Sequence, residues 1–560
     1  MKRILSALLC VVLVLFSVSG CNKKDNQTIT SQLIEEPATL DPQIAHGSDA
    51  ATLIAALYEG LCRVDAEGKV QPGVAESWEA NSDNTQFTFH LRKDAVWNGN
   101  VPSLTESSDA SDDTPTPVTA ADFIFAWQRA LDPATGSSAC APLLCIENAA
   151  AIHAGQKQPS ELGVSAPDDH TLVVKLSQSR PDFPAQTASP CAMPCNEAFF
   201  EYAAGQYGLD RASILGNGPF TIKRYGWNHG SDITLVRASA YHGAQDALPA
   251  SLKFTIGTLE VDADMSGAPS EAADTESSAG NTSSGTPKRE IDTVTALENG
   301  TVDAAPLPVE SVEDAKSAGL SVNLYTDTTW GLCFNASGKF QSTGLRKAFV
   351  QALDRGKLMG LLPANTQQAE DILPPAVQFN GKSYREQAGS GFYMRSSTDA
   401  AAQYAAQKPG DLKLTLLCTD ENKGLASQML ANWNDTFHMY FSLEAVSKET
   451  LLDRVASGNY DAALYPLTPA AADASTALSA FLSSQNTNPA LLKDTAFDQL
   501  LNQASTVQQL AAAEKYLCDN AVFYPLYYES HAYATAKGVT GVWSHGFDGG
   551  MDFLTAVKAG

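Results

Sequence analysis

Between residues 51 and 131 the apolar side chains change their period, and that change confines the chain to folds that mix helix with strand. Leu53, Ile54, Ala56, Leu57 and Leu61 recur at helical spacing over residues 51–62, which predicts a helix that stops at Gly60. Gln86-Phe87-Thr88-Phe89-His90-Leu91 then alternates polar and apolar, as a half-buried strand does. Thr119 is placed to cap a second helix, with Phe123, Ala126, Trp127 and Ala130 on one face and Asp132-Pro133 ending it. The chain has 560 residues, more than one core usually organises, so at least two domains are expected.

Lys2-Arg3 precede an apolar run from Ile4 to Phe16 that reads as a secretory signal, too short for an ordinary membrane span. The run leads to Val18-Ser19-Gly20-Cys21, which resembles the lipobox of bacterial lipoproteins. Cleavage would remove residues 1–20, leave Cys21 as a lipidated N-terminus and make residues 21–27 a polar tether. The expected location is extracytoplasmic and lipid-anchored to the cell membrane, in a periplasm or on a Gram-positive surface. A net charge of −26 argues against nucleic acid or an anionic bilayer surface as partner. Of the ten cysteines, Cys10 lies in the signal and Cys21 carries the expected lipid. Cys140/Cys145 and Cys191/Cys195 are two close pairs without a histidine at ligand spacing. Local disulfides or reduced buried thiols are therefore expected there, rather than a metal site.

Two stretches interrupt the pattern. Residues 99–117 are rich in Ser, Asp, Thr and Pro and are expected to form an inserted surface loop. Residues 262–290 have Met265 as their only large apolar side chain; they cannot bury enough surface to offset the cost of ordering and are expected to be disordered. Elsewhere His170–Leu176 and Ile233–Arg237 read as strands, and Gly216-Asn217-Gly218-Pro219-Phe220 as a turn. Further on, Leu412–Leu417 predicts a strand, followed by a helix carrying Ala426, Met429, Leu430 and Trp433 at helical spacing.

Ordered blocks run through this framework. They include Leu40-Asp41-Pro42, Tyr58-Glu59-Gly60-Leu61, Pro72-Gly73-Val74-Ala75-Glu76-Ser77-Trp78, Arg92-Lys93-Asp94-Ala95-Val96-Trp97, Val118-Thr119-Ala120-Ala121-Asp122-Phe123 and Trp127-Gln128-Arg129-Ala130-Leu131-Asp132-Pro133. Later come Ala296–Ala304, Thr329–Asn335, Leu345–Arg355, Tyr460–Leu464 and Tyr524–Tyr528. Together they resemble the extracytoplasmic solute-binding proteins of ABC importers, in the class that takes up oligopeptides, dipeptides and nickel. The segment Ala154–Leu176 is similar to the oligopeptide branch. The resemblance covers residues 28 to about 550, excluding both insertions.

What the resemblance implies is an α/β, two-lobe, periplasmic-binding-protein-like clamshell with an extra α+β subdomain on the first lobe. Lobe I would comprise residues 28–60, 201–328 and 526–560, the extra subdomain residues 61–200, and lobe II residues 329–525. A peptide-like ligand would sit between the lobes, which close over it, and the receptor would deliver it to ABC transporter permease subunits as a monomer. No cofactor is expected.

The resemblance also places site residues. Glu36 falls on a first-lobe position that contacts ligand in oligopeptide receptors, and Tyr528 lies at or next to another. After Tyr460-Asp461, peptide binders commonly carry Gly-Trp, a variable residue, then Ala-Asp-Tyr, whose aspartate holds the peptide amine. Here the tryptophan position falls on Leu467 and the aspartate position on Ala470 or a neighbour. Asp473 either substitutes after a backbone shift or is a solvated loop acid. Gly331 and Cys333 stand where a tyrosine and a glutamate are frequent, and Trp330 and Tyr465 are the expected pocket aromatics.

An enzyme finds no support in the motifs: there is no Gly-x-Ser-x-Gly elbow and no His-Glu-x-x-His helix. The adjacent acids Glu35-Glu36 and Asp168-Asp169 do not supply acid/base geometry. Two other readings remain: a sensor or adhesion lipoprotein that reuses the fold, and a receptor for a non-peptide solute such as nickel complexes or haem.

Overall fold

A single eleven-stranded sheet runs through the computed structural model. The structure describes residues 27–99, 115–262 and 288–559, apart from 67, 138, 178, 245–246, 364–365, 470–471, 486–487 and 548–549. The signal sequence, Cys21 and Ala470 lie outside the described residues, as do 100–114 and 263–287 of the two expected insertions.

Ten strands form the path of the sheet: β1 (Thr28–Leu33), β2 (Phe220–Asn228), β3 (Asp232–Arg237), β4 (Ser251–Ile256), β5 (Ala304–Leu307), β6 (Ser321–Phe334), β7 (Thr415–Thr419), β8 (Ser442–Val446), β9 (Ala462–Leu467) and β10 (Phe523–Thr535). Their spatial order is β8-β7-β9-β6-β10-β5-β1-β4-β3-β2, with Gln367–Gln368 added beside β10. The long strands β6 and β10 pair antiparallel from Ser321↔Thr535 to Cys333↔Phe523, so the same ribbon belongs to both lobes. At one end β10 meets β5 through Ala532–Thr535; at the other β6 meets β9 through Thr329–Phe334. The register slips on either side of Asp327 and again between Trp330 and Gly331, which places irregular backbone where the lobes join.

Helices cover both faces of the second lobe, which is why β7, β9 and the lobe II end of β6 are buried along nearly their whole length rather than at alternate residues. The edge strand β8 keeps Ser442 and Glu444 exposed. Trp330, Leu332 and Phe334 pack with Phe349, Met429 and Trp433 in one core, and Cys333 and Phe523 with Phe481, Phe497 and Leu517 in another. The first lobe and extra subdomain share a core through Ile29, Leu53, Phe89, Trp127 and Phe254. The subdomain sheet is antiparallel, in the order Ala75–Ala80, Gln86–Leu91, Thr171–Lys175, Val164–Asp168. Phe87 and Phe89 lie against Phe183, and Trp127 meets the same ring edge-on.

Several local expectations shift. The first helix spans Ser48–Leu57 and ends at Tyr58, two residues before Gly60. Gly60 is required for another reason: a side chain there would collide with the Thr187 carbonyl oxygen. The helix after Thr119 spans Ala120–Leu131, and Asp122 accepts from the Thr119 amide (2.7 Å) and hydroxyl (3.0 Å). The strand expected over Leu412–Leu417 begins only at Thr415. The ends of the insertion expected to be disordered over 262–290 are paired strand, Glu260–Asp262 against Lys288–Glu290. In the Gly216–Phe220 turn, Asn217 pairs with both the amide and the carbonyl of Glu59 (3.0 and 2.9 Å), and a side chain at either glycine would strike Leu57. That turn packs a helix end. The eight described cysteines are free and buried; Cys140 has His153 Nδ1 3.6 Å from its sulfur.

Candidate functional site

Strand direction locates the cleft. β7, β8 and β9 are parallel and run toward the first lobe, ending at Thr419, Val446 and Leu467. β1, β4 and β5 are parallel to one another and run toward the second lobe, ending at Leu33, Ile256 and Leu307. Two sets of carboxyl ends therefore face each other across the β6–β10 ribbon, and loops outside carboxyl strand ends are where open α/β sheets bind ligands. The loop after β1 carries Ile34, which is 58% exposed, then Glu35 and Glu36. Opposite, the loops after β7, β8 and β9 lead into helices that begin at Lys423, Lys448 and Ala474.

Glu36 is tied down by three donors of the β2–β3 hairpin: Trp227 Nε1 (2.8 Å), His229 Nδ1 (2.6 Å) and the Gly230 amide (2.7 Å). Burial works to raise its pKa, but those donors outweigh it and hold the carboxyl below the usual range. Glu36 thus fixes the lobe I rim and keeps no free oxygen among the described residues.

The crossing ribbon holds Trp330 and Tyr528. Trp330 is 3% exposed, lies parallel to Tyr527 with ring centroids 5.9 Å apart, and donates its indole N–H to Glu529 Oε2 at 2.7 Å. The Lys448 ammonium stands 5.9 Å from its ring centroid. Tyr528 is buried and donates to the Asp371 carbonyl (3.3 Å). Beneath it, Asp371 and the fully buried Glu514 share Arg385, at 3.4 and 2.7 Å. Tyr465 stands opposite Gly331 in the sheet and is half-buried against both lobe II cores. Burial pushes its phenol up, and its hydroxyl has no hydrogen-bond partner among the described residues.

Asp473 is not a solvated loop acid. Its Oδ1 caps the helix Ala474–Ser479 through the Thr476 amide (2.8 Å) and hydroxyl (3.0 Å), and it also accepts from Arg180 Nη2 at 3.0 Å. Burial, then the nearby Asp182 charge, raises its pKa despite Arg180. At Gly331, which stands where the resembling family often has a tyrosine, the Phe523 ring fills the space that a side chain would need.

Trp330, Tyr465 and Tyr528 lie on neighbouring strands, but strand alternation puts Trp330 on the face shared with Tyr527 and turns Tyr465 and Tyr528 to the other; Glu36 and Asp473 sit on opposite rims. Sequence reading missed Arg180 and Glu529. Arg180 is 293 positions from its lobe II partner, and no spacing rule links residues so far apart. Glu529 follows the Tyr527-Tyr528 pair directly, and its place in a crossing strand was the signal available.

No cluster of His, Cys, Asp or Glu suited to a metal occurs among the described residues, and no described helix is long and apolar enough to cross a membrane. Facing strand ends, a shared ribbon and acids each held by fixed donors define a two-lobe solute-binding protein. The chain belongs to the bacterial extracellular solute-binding proteins, family 5, whose model matches residues 69–489. Proteins of this family bind solutes and are not enzymes. The chain is 28% identical over 558 residues to the periplasmic oligopeptide-binding protein OppA of Salmonella typhimurium, covering 95% of this chain and 91% of that one. It is 28% identical over 534 residues to the periplasmic murein peptide-binding protein MppA of Escherichia coli, covering 91% and 89%. Among solved structures, the substrate-binding domain of an oligopeptide ABC transporter from Bacillus anthracis superposes with a TM-score of 0.71 at 24% identity, over 95% of this chain and 99% of that one.

Proposed function

We propose that this chain is an extracytoplasmic receptor, anchored by lipid on Cys21, that captures a peptide-like solute between its lobes and hands it to the permease of an ABC importer. The observation that carries this reading is the end-to-end likeness to a protein named for oligopeptide binding, with the lobes, subdomain and crossing ribbon all present. In this reading Glu36 and Asp473 shape the two rims, while Trp330 and Tyr528 stiffen the floor. Tyr465 brings the uncommitted hydroxyl, and the exposed Ile34 gives apolar contact. A peptide main chain could hydrogen-bond along the strand ends, with side chains in the loops between them. The receptor acts as a monomer, needs no cofactor, and takes neither nucleic acid nor metal as partner.

Native mass spectrometry of the lipid-free chain, residues 28–560, purified from rich medium, tests the reading. Adducts forming a series of short-peptide masses, lost on unfolding, are the expected result. A single non-peptide mass would replace the solute class. A bare protein with no thermal shift in peptide pools would overturn the receptor role. For the anchor, Cys21→Ala should move the protein from the membrane to the soluble fraction.

A further inference from the structure

Arg180 belongs to the extra subdomain yet bonds into lobe II. Its Nε and Nη2 reach both oxygens of Asp182 (2.9 and 2.6 Å), and its own amide donates to the Asn84 carbonyl, so the side chain is anchored from below. The same Nη2 crosses the lobe boundary to Asp473 Oδ1 (3.0 Å) and Thr476 Oγ1 (2.6 Å). Arg180 is 6% exposed and Thr476 4%, so this junction is closed to water. Asp473 and Thr476 open a helix of the lobe II core through Ala474, Ala477 and Leu478, whereas Phe183, three residues past Arg180, is in the core of the first lobe and subdomain. The contact therefore joins two separately packed bodies.

We propose that Arg180 is a positioning residue for solute capture: a pre-aimed guanidinium that clasps Asp473 and Thr476 when the lobes close, so that the chain supplies part of the closing interaction itself. Asp182 holds the guanidinium in place whether the lobes are open or shut, and little ordering is left to be done at closure. The planar fork is suited to serve an acid on each side at once. A clasp of this kind shifts the protein toward the closed state with or without solute; release must break it, whereas capture starts from the molecules still open, so release is slowed more than capture. The inference rests on the receptor reading for its effect on solute, but its effect on closure stands without any solute.

The test compares wild type, Arg180→Gln and Arg180→Lys in the lipid-free chain. Small-angle X-ray scattering without solute should show a wild type that is more compact on average than Arg180→Gln while still partly open, with Arg180→Lys between them. With a pool of tri- to pentapeptides as probe, release should accelerate at least about tenfold in Arg180→Gln, while association changes by less than about twofold. Equal dimensions and equal release rates for Arg180→Gln and wild type would overturn the clasp. Should Arg180→Gln fail to fold, Thr476→Ala removes one acceptor and keeps the Asp473 cap; it must expand the solute-free protein in the same direction, and no change overturns the proposal. If no peptide is retained by any form, the peptide reading fails and the scattering alone decides on the clasp.

Discussion

The edge of the Phe523 ring stands where a side chain on Gly331 would begin. The two residues are on paired crossing strands, and a β-carbon at 331 would fall 2.3 Å from Phe523 Cε1 and 2.6 Å from the Tyr524 carbonyl oxygen. The glycine is therefore a matter of space rather than backbone angle. Gly331→Ala should destabilise the protein by about 1–3 kcal/mol, the usual cost of overpacking a filled core. Thermal unfolding measures it. Phe523→Leu should recover only part of the loss, because the carbonyl contact persists; an unchanged melting temperature for Gly331→Ala would contradict the packing described.

Trp330 donates to the carboxylate of Glu529 in a part-buried hydrogen bond. Trp330→Phe keeps the ring but removes the donor, and should cost about 2 kcal/mol in urea unfolding. Glu529→Gln retains an acceptor for the indole and should cost less. The reverse order would show that the bond contributes little.

Asp122 couples stability to pH. Burial pushes its carboxyl up to about 6, against the hydrogen bonds from Thr119 that oppose the shift. The folded chain thus holds this proton more tightly than the unfolded one. The contribution is fully present below about pH 4 and is lost as pH rises through about 6, on the order of 3 kcal/mol at most. Unfolding free energies of wild type and Asp122→Asn should diverge across that window, the wild type falling more steeply with rising pH. Parallel curves would contradict the assignment.

Glu514 organises the lobe II side of the ribbon. It accepts from Arg385 (2.7 Å), the Leu373 amide (2.8 Å) and the Tyr384 hydroxyl (3.0 Å), with no exposure to solvent. Glu514→Ala leaves the Arg385 charge with only Asp371 and should cost about 3–5 kcal/mol. Glu514→Gln should cost less, and limited proteolysis near Tyr384 should separate the two variants.

Much of the architecture was legible in residue order. The alternation of Gln86–Leu91 became a strand with the same bounds, and Thr119 sits at the start of its helix, because both signals depend on neighbours a few residues apart. The family blocks likewise led to the two-lobe fold. The site was less legible. Trp330 looked like a pocket aromatic, but whether an indole faces solute or Tyr527 depends on a strand pairing about 200 residues away. Asp473 had the right chemistry for a ligand, yet Arg180 reaches it from another domain. Local periodicity and turn chemistry, carried by the backbone over one or two turns, were determined by the sequence alone. Which acids keep a free oxygen and which aromatics keep a free face were decided only in the tertiary structure, because hydrogen bonds and packing depend on distance in space, not along the chain.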